Sequence, residues 1–301
     1  MKKGGNEAAK RFGVEFIYQG PTDVNAPKQL QIFDSLIKQE VEAISLSVLD
    51  PESICPAMER AEKQGLIPFT SDSDAPNCDA RRVFIQQARD KDLAEAIIDG
   101  IAKRLNSDNP SQAEGTIAFV SGNPTATNLN TWMDLMEEYV GASFPNLEIV
   151  ARRYAGGTSS EAYQTAQDIL TAYPDLDAIV GVPSTSIPGV GQAVADSGLS
   201  GDGIIYTGYG SPLTAKDYIK SGAMDFSVLW NPKALGYLTV WAGWMMDQGI
   251  DFTKFEEKVD LKAPGIESLN EVDVQWLPKN DTILLGPPLV ITKDNVDNYN
   301  F

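Results

Sequence analysis

The side chains in this sequence that could do chemistry are mostly neutral hydrogen-bonding groups that follow predicted β-strands. Hydroxyl, amide and carboxylate groups crowd these loops, whereas positive charges are rare there. No loop resembles a Walker A or G-x-G-x-x-G motif, so the pattern does not indicate a phosphate ligand. A ligand with many hydroxyls, which needs donors, acceptors and an aromatic face, would suit these loops. The candidate ligand-binding residues are Asp72, Ser73, Asp74, Asn128, Ser184, Thr185, Trp230 and Asn231.

Six of these eight residues also have an ordinary structural explanation. Acids in loops often cap turns, small polar residues cap helices, and tryptophan commonly packs in a core. From the sequence these alternatives stay open: turn capping for Asp72 and Asp74, helix capping for Asn128, Ser184 and Thr185, and core packing for Trp230. A glycosidase pair made of Asp72 and Asp74 is only weakly indicated, because two loop positions have no fixed carboxyl separation.

The composition argues for a binding protein over an enzyme. The chain contains no histidine, which excludes Ser-His-Asp and Cys-His catalysis and every metal site that uses histidine. Chemistry based on carboxylates, lysine or tyrosine would still be possible. We expect no enzyme activity, no metal and no cofactor.

The charge limits the partners further. The formal net charge is −18, from 42 acidic and 24 basic residues, and such a surface repels nucleic acid and anionic membranes. No apolar run reaches the length of about 18 residues that a transmembrane helix needs. The first residues lack the apolar core of an export signal, so either the signal was removed or the protein is cytoplasmic.

The elements that must position these loops alternate between short apolar strands and helices. Asp50-Pro51-Glu52 predicts a helix start, and residues 158–161 predict a capping box at the start of another helix. Apolar spacings of three and four distinguish the helices from the strands. Strands are predicted at 15–18, 43–48, 67–71, 83–86, 116–121, 148–154, 178–182, 204–209 and 225–229, and helices at 5–12, 30–37, 51–65, 93–105, 129–139, 159–172, 190–197, 214–221 and 235–248.

This alternation predicts an α/β fold of doubly wound parallel sheets with helices on both faces. About ten strands exceed one comfortable sheet, so two domains are expected. The tail after residue 260 leaves the alternation, and such a tail often returns to join domains. The chain opens in a helix, although a doubly wound domain normally begins with a central strand. We therefore expect the first domain to lack its first β-strand.

Two segments carry a family resemblance. Residues 47–57 (SVLDPESICPA) and 69–74 (FTSDSD) resemble the ribose-type, or type I, periplasmic binding proteins. The resemblance is strongest to the branch that holds the autoinducer-2-binding and rhamnose-binding components of ABC importers. Residues 123–128, 175–179 and 298–301 agree with it, so it extends over nearly the whole chain.

The resemblance implies two hinged lobes that close on a ligand, with the closed form recognised by a membrane permease. It implies an N-terminal lobe of residues 1–87 and 231–285 and a C-terminal lobe of residues 88–230 and 286–301. The expected function is the binding of a small sugar or polyol for an ABC importer, by a monomer in the periplasm or on an extracellular lipid anchor. The alternatives are an autoinducer-2-binding protein and a sugar sensor for a membrane receptor.

The ligand contacts of the autoinducer-2 receptors match this chain only in part. Asp72 matches a ligand-binding acid, but Asn128 and Leu129 replace an acid and a glutamine. Val182 and Ser184 replace a proline and an alanine, and a contact lysine belongs to the strand–loop segment that we expect to be lacking. The comparison favours a pentose, a deoxyhexose or a similar polyol over autoinducer-2.

Cys55 and Cys78 match paired cysteines of the same branch. By themselves they could be two buried thiols or one disulfide. The resemblance implies a disulfide, which would fit an extracytoplasmic location. For the lacking strand, we expect the remaining sheet to close up or another segment or chain to fill the gap, because buried backbone groups need partners.

Overall fold

The fold is a two-unit α/β structure, seen in a computed structural model that describes residues 1–21, 25–39, 41–201, 203–269 and 273–301. Unit 1 consists of Met1–Arg89 and Trp230–Pro287, and unit 2 of Asp90–Leu229 and Pro288–Phe301. Each unit has its own sheet with helices packed against it, which confirms the predicted fold class.

The helices and strands of the described residues are numbered here in chain order. The α-helices are α1 (Lys2–Phe12), α2 (Ala26–Ile37), α3 (Pro51–Lys63), α4 (Asp90–Leu105), α5 (Thr127–Ser143), α6 (Ser159–Ala172), α7 (Ile187–Ser197), α8 (Pro212–Ser221) and α9 (Pro232–Asp247). The strands are β1 (Ala43–Leu46), β2 (Ile67–Ser71), β3 (Phe84–Gln86), β4 (Glu114–Ser121), β5 (Asn146–Tyr154), β6 (Ala178–Gly181), β7 (Ile205–Gly208), β8 (Ser227–Leu229), β9 (Val259–Asp260), β10 (Gln275–Leu277), β11 (Thr282–Leu284) and β12 (Leu289–Ile291). Every described helix is too short or too polar to cross a membrane.

The sheet of unit 1 has the strand order β1-β2-β3-β11-β10-β9. Strands β1, β2, β3 and β11 are parallel, so their carboxyl ends share one edge. The tail adds β9, β10 and β11 to this sheet, with β10 antiparallel to both of its neighbours. The Asp50 side chain caps α3 and Pro51 is its first residue, as the sequence predicts. In open parallel sheets, ligands bind at the edge formed by the carboxyl ends of the strands.

Residues 15–18, which were predicted to be the first strand, do not form one. A strand persists through hydrogen bonds to a neighbour, and among the described residues β1 pairs only with β2 and no strand includes residues 15–18. Phe16 packs instead over α1, where a Cβ atom on Gly5 would lie 2.3 Å from the Phe16 ring. The prediction of this strand was wrong. The sheet does not close up by pairing residues 15–18 with β1.

A side chain covers part of the outer edge beyond β1. The Val48 amide donates to the Ser73 carbonyl on the β2 side. The backbone carbonyl of Ser47 and the backbone amide of Leu49 therefore point to the other side. There the Gln29 amide donates to the Ser47 carbonyl at 2.6 Å and accepts from the Leu49 amide at 3.1 Å. Gln29 thus replaces two hydrogen bonds that a neighbouring strand would make.

Helices α1 and α9 pack closely in unit 1 because glycines remove the side chains between them. A Cβ atom on Gly4 would lie 1.7 Å from the Lys233 carbonyl oxygen, and one on Gly236 would lie 2.1 Å from that of Met1. Glycine inside a helix costs about 1 kcal/mol relative to alanine. The close contact between the two backbones explains why glycine occupies these helical positions.

The main sheet of unit 2 is fully parallel, with the order β5-β4-β6-β7, while β8 and β12 form a separate antiparallel pair. The Thr158–Glu161 capping box at the start of α6 is present with both of its hydrogen bonds, as predicted. Helix α6 has its predicted bounds, and strands β4 to β8 differ from their predicted bounds by two residues or fewer at each end. The carboxyl ends of β4, β6 and β7 form the polar edge of unit 2.

Candidate functional site

Asp72 lies at the carboxyl edge of unit 1, directly after β2. Its backbone has φ 70°, which is rare for a residue with a side chain. The Ser73 amide donates to the Ser71 carbonyl at 2.8 Å, so residues 71–73 form a tight three-residue turn with Asp72 at its apex. Turns of this hand are rare and strained.

The neighbouring strands hold this turn in place. The Asp72 amide donates to the Ile85 carbonyl at 3.1 Å on one side, and the Val48 amide donates to the Ser73 carbonyl at 3.0 Å on the other. A strained residue persists only where its surroundings determine its conformation, and such residues cluster at functional sites. The backbone therefore points to Asp72 as a candidate ligand contact.

The Asp72 carboxylate keeps one oxygen available. Ser47 Oγ donates to its Oδ2 atom at 2.9 Å, whereas Oδ1 has no hydrogen-bond partner among the described residues. Burial raises the pKa of Asp72, and the Ser47 hydrogen bond and the α-amino group of Met1 partly offset that rise. Next to it, Ser45 Oγ donates to Ser71 Oγ at 3.1 Å. The edge therefore offers hydroxyls and a carboxylate acceptor.

Asp74, two residues further on, has one carboxylate oxygen in contact with two other side chains of the protein. Thr70 Oγ1 donates to Asp74 Oδ1, and Arg81 Nε lies 3.3 Å from the same oxygen. Burial raises the pKa of Asp74, and the Arg81 charge is the largest opposing effect. Ser73 is 5% exposed and its hydroxyl has no partner among the described residues. The three candidates of this turn thus differ in how many of their side-chain hydrogen-bonding groups already have a partner in the protein.

A disulfide fastens the loop that follows Asp72 to helix α3. Cys55 and Cys78 are bonded, with their Cα atoms 5.5 Å apart. Cys55 lies in the second turn of α3, and Cys78 is buried in the loop between β2 and β3. Disulfides of this kind persist in oxidising compartments outside the cytoplasm.

In unit 2, the candidates Asn128, Ser184 and Thr185 lie beyond the carboxyl ends of β4 and β6. Asn128 is in the first turn of α5, whose N-cap position is Ala126, and its side-chain oxygen accepts from the Leu129 amide at 2.9 Å. Ser184 and Thr185 are exposed, and Ser184 Oγ donates to the Tyr209 carbonyl at 2.7 Å. None of the three caps a helix in the way the sequence allowed.

Trp230 and Asn231 lie at the start of the second segment of unit 1. Both are 9% exposed. The Asn231 side-chain oxygen accepts from the amides of Lys233 and Ala234 at 3.0 and 3.1 Å, which makes Asn231 the N-cap of α9. The amide of Asn231 therefore has a structural task, and ligand contact by this pair stays a prediction.

A further set of polar groups marks the same edges. Each lies at the end of a strand or within two residues of it, and each is a buried side-chain atom without a hydrogen-bond partner in the described part of the chain. They are Ser73 Oγ, Gln87 Oε1, Ser121 Oγ, Thr207 Oγ1 and Tyr209 Oη. Buried polar groups normally have partners, and an unpaired one costs about 1–3 kcal/mol. These positions therefore suit water or ligand hydroxyls.

Three of these hydroxyls share one face of the unit 2 sheet. Thr207 is in register with Phe119 across β6, so Ser121 and Tyr209, each two residues further along its strand, point the same way. The Tyr209 ring lies 4.7 Å from the ring of Trp132, whose Nε1 donates to Asp90 at 2.7 Å. The sequence placed Ser121 and Tyr209 in the polar loops without selecting them. Only the strand register shows that these hydroxyls face one way.

The comparisons with known proteins agree with this arrangement. The family model described as "Periplasmic binding protein domain" matches residues 1–250. The D-allose-binding periplasmic protein of Escherichia coli is 26% identical over 245 residues, which cover 78% of this chain and 76% of that protein. LsrB from Clostridium saccharobutylicum, solved in complex with AI-2, is 25% identical with a TM-score of 0.87, over 100% of this chain and 94% of that one.

A third relative has a sugar bound. The solute-binding protein of an ABC transporter from Clostridium phytofermentas, solved with bound L-rhamnose, is 25% identical with a TM-score of 0.85, over 99% of this chain and 92% of that one. The fold, the polar strand ends and the matched family model together define a class of ligand-binding protein. This chain belongs to the periplasmic binding protein domain family.

Proposed function

We propose that this chain is the sugar-binding component of an ABC importer and works outside the cytoplasm. The carrying observation is the Asp72 carboxylate at the edge of unit 1, with one oxygen held by Ser47 and the other available. A carboxylate only accepts hydrogen bonds, and every sugar hydroxyl can donate one. Relatives that bind D-allose and L-rhamnose support the ligand class, and the Cys55–Cys78 disulfide supports the compartment.

We propose a neutral pentose, deoxyhexose or similar polyol as the ligand. Asp72, Asn128, Ser184 and Thr185 offer acceptors and hydroxyls without a cation among them. Asn128 presents a neutral amide where an autoinducer-2 receptor has an acid. We assign Asp74 and Asn231 a supporting role, because Arg81 and Thr70 already contact one carboxylate oxygen of Asp74, and the amides at the start of α9 donate to the side-chain oxygen of Asn231.

The remaining parts of the proposal follow from this role. The chain would act as a monomer, in the periplasm or on a lipid anchor, and deliver its ligand to a membrane permease. It would catalyse no reaction. The relatives' printed functions are transport and binding, and a chain without histidine lacks the commonest general base.

A thermal-shift screen with D-allose, L-rhamnose, D-ribose and autoinducer-2 tests the proposal. A ligand present at a hundredfold excess over its Kd raises the free energy of unfolding by about 2.7 kcal/mol. We expect one of the sugars to stabilise the protein and Asp72→Ala to abolish that shift. A full shift in Asp72→Ala would refute the assignment of Asp72, and turnover of the bound sugar would refute the non-enzymatic role.

Autoinducer-2 is the second candidate ligand, favoured by the similarity of LsrB over the whole chain. The screen separates the two candidates directly. Stabilisation by autoinducer-2 alone would replace the sugar in the proposal and leave the binding role unchanged.

A further inference from the structure

We infer that Thr70, Asp74 and Arg81 form a clamp that holds the Asp72 turn in its ligand-binding conformation. This inference rests on the proposed function, because it concerns how Asp72 meets a sugar. The three residues are called the Asp74 clamp below. They would act as positioning residues and make no contact with the ligand themselves.

The need for a clamp comes from the backbone of Asp72. A residue with a side chain is strained at φ 70°, and the turn around Asp72 closes over a single hydrogen bond of 2.8 Å between Ser73 and Ser71. The backbone hydrogen bonds to Val48 and Ile85 hold it in part, and a turn with fewer restraints relaxes towards an ordinary extended backbone. Relaxation would move the Asp72 carboxylate away from Ser47.

Asp74 supplies the support by folding back over the turn. Its carboxylate accepts from the hydroxyl of Thr70, which lies on the strand side of Asp72. This side-chain hydrogen bond therefore links residue 70, before the turn, to residue 74, after it. Thr70 is fully buried, so its hydroxyl gains a partner here that it could not take from bulk solvent.

Arg81 anchors the clamp to the rest of unit 1. Its Nε atom lies 3.3 Å from Asp74, and its side chain is 7% exposed. Its two terminal nitrogens donate to the carbonyl of Asn280 at 3.2 and 3.1 Å, and one also donates to that of Asp281 at 3.3 Å. The guanidinium thus ties the loop after β2 to the turn before β11. The two acids of this loop have separate tasks, with Asp72 meeting the ligand and Asp74 holding the turn.

The test uses two substitutions of the same residue. Thr70→Val removes the hydroxyl but keeps the branched shape, whereas Thr70→Ser keeps the hydroxyl and removes a buried methyl. Dissociation constants are measured by calorimetry with whichever of D-allose, L-rhamnose and D-ribose binds best, and thermal midpoints are measured without sugar. Arg60→Met is the control, since Arg60 pairs with Asp34 on the surface of the same unit, with side-chain exposures of 51% and 41%.

We expect Thr70→Val to raise Kd about tenfold, because it removes one of the buried hydrogen bonds that hold the strained turn. Thr70→Ser should keep the affinity of the natural chain although its thermal midpoint falls. Both variants then lose stability but only the one without the hydroxyl loses affinity, which a purely structural role would not produce. In an Asp72→Asn background, Thr70→Val should have no further effect on Kd. Arg60→Met should leave Kd unchanged.

A crystal structure of unliganded Thr70→Val gives a second measurement that needs no ligand. We expect φ of residue 72 to leave the left-handed region. An unchanged φ together with an unchanged Kd overturns the clamp. If Thr70→Val does not fold, Asp74→Asn takes its place in both measurements.

The failures of the two proposals are distinguishable. If the natural chain binds no sugar, or if Asp72→Asn binds as well as the natural chain, the proposed function or its site is refuted. The φ angle of residue 72 in the Thr70→Val structure then still decides whether the clamp holds the turn.

Discussion

The turn after β2 in unit 1 and the loop after β4 in unit 2 both hold polar side chains at a sheet edge, but they do so in different ways. An arginine braces each of them, through Asp74 in the first and through Asn130 of α5 in the second. Arg81 is 7% exposed and faces an Asp74 that is 17% exposed. Arg152 is 24% exposed, lies 2.5 Å from an Asp134 that is 65% exposed, and donates to Asn130 at 3.1 Å.

The two loops also differ in their backbones. The turn after β2 contains the strained Asp72. In the loop after β4, the Asn123 side chain accepts from the amide and hydroxyl of Thr125 at 3.0 Å each, and the Asn130 side chain donates to the Pro124 carbonyl at 2.7 Å. This second loop needs no unusual φ in a residue other than glycine. The strained turn is held by a buried ion pair, whereas the relaxed loop is held by an exposed one.

The largest contrast is expected between Arg81→Met and Arg152→Met. Removing one partner of a buried pair costs about 3–5 kcal/mol, because the other charge is left buried and unpaired. Arg81→Met should therefore lower the free energy of unfolding by about 3 kcal/mol. Chemical denaturation measures the loss. An equal loss in both variants would show that burial does not distinguish the two braces.

The disulfide should add a comparable amount to unit 1 alone. Replacing Cys55 and Cys78 together with serine frees a segment with a sequence separation of 23 residues, which should cost about 3 kcal/mol. Denaturation with and without a reductant measures this effect. Reduction should change the natural chain and leave the double variant unchanged.

Asp72→Asn should weaken sugar binding about tenfold, since a charge-assisted hydrogen bond is lost. It should also change the dependence of stability on pH. The pKa of Asp72 is raised in the folded state, so the folded state binds more protons than the unfolded state between the ordinary aspartate pKa and the raised value. Through that range the free energy of unfolding of the natural chain falls as pH rises.

Asp72→Asn lacks this contribution. Its stability relative to the natural chain should therefore increase from about pH 4 towards neutral pH, where the natural carboxylate is charged and buried. Unfolding curves of both proteins over this pH range measure the difference. A constant difference would mean that the pKa of Asp72 is not raised.

Arg152→Met should have the smallest effect, below about 1 kcal/mol, because exposed ion pairs contribute little and salt screens them. Unfolding at low salt and in 1 M sodium chloride, where the Debye length is about 3 Å, should show the loss shrinking with salt. A loss that salt does not change would indicate that Arg152 braces its loop mainly through the hydrogen bond to Asn130.

Local signals made much of the fold predictable. Strand β2 and helix α6 have their predicted bounds, and the Asp50 cap and the Thr158–Glu161 capping box form as predicted. The helix and the two caps depend on neighbours within four residues along the chain. Residues 15–18 were predicted as a strand and are not one, because a strand also depends on a partner that its own sequence does not specify.

The candidate site was predictable in its location and less so in its detail. The rule that ligands bind at the carboxyl ends of parallel strands selects the loop with Asp72 and Asp74 from the sequence. It does not separate the two acids, whose carboxylates differ only in which buried groups reach them.

The sequence by itself therefore determined the α/β class, most of the helices and strands, and a carbohydrate-like chemistry at the strand ends. Periodicity, capping and residue type are local properties, and they act before the chain is folded. Tertiary structure alone decided the left-handed backbone of Asp72, the occupation of Asp74 by Arg81 and the shared face of Ser121, Thr207 and Tyr209. These features arise from contacts between residues far apart in the chain, where register and burial set which polar groups stay available.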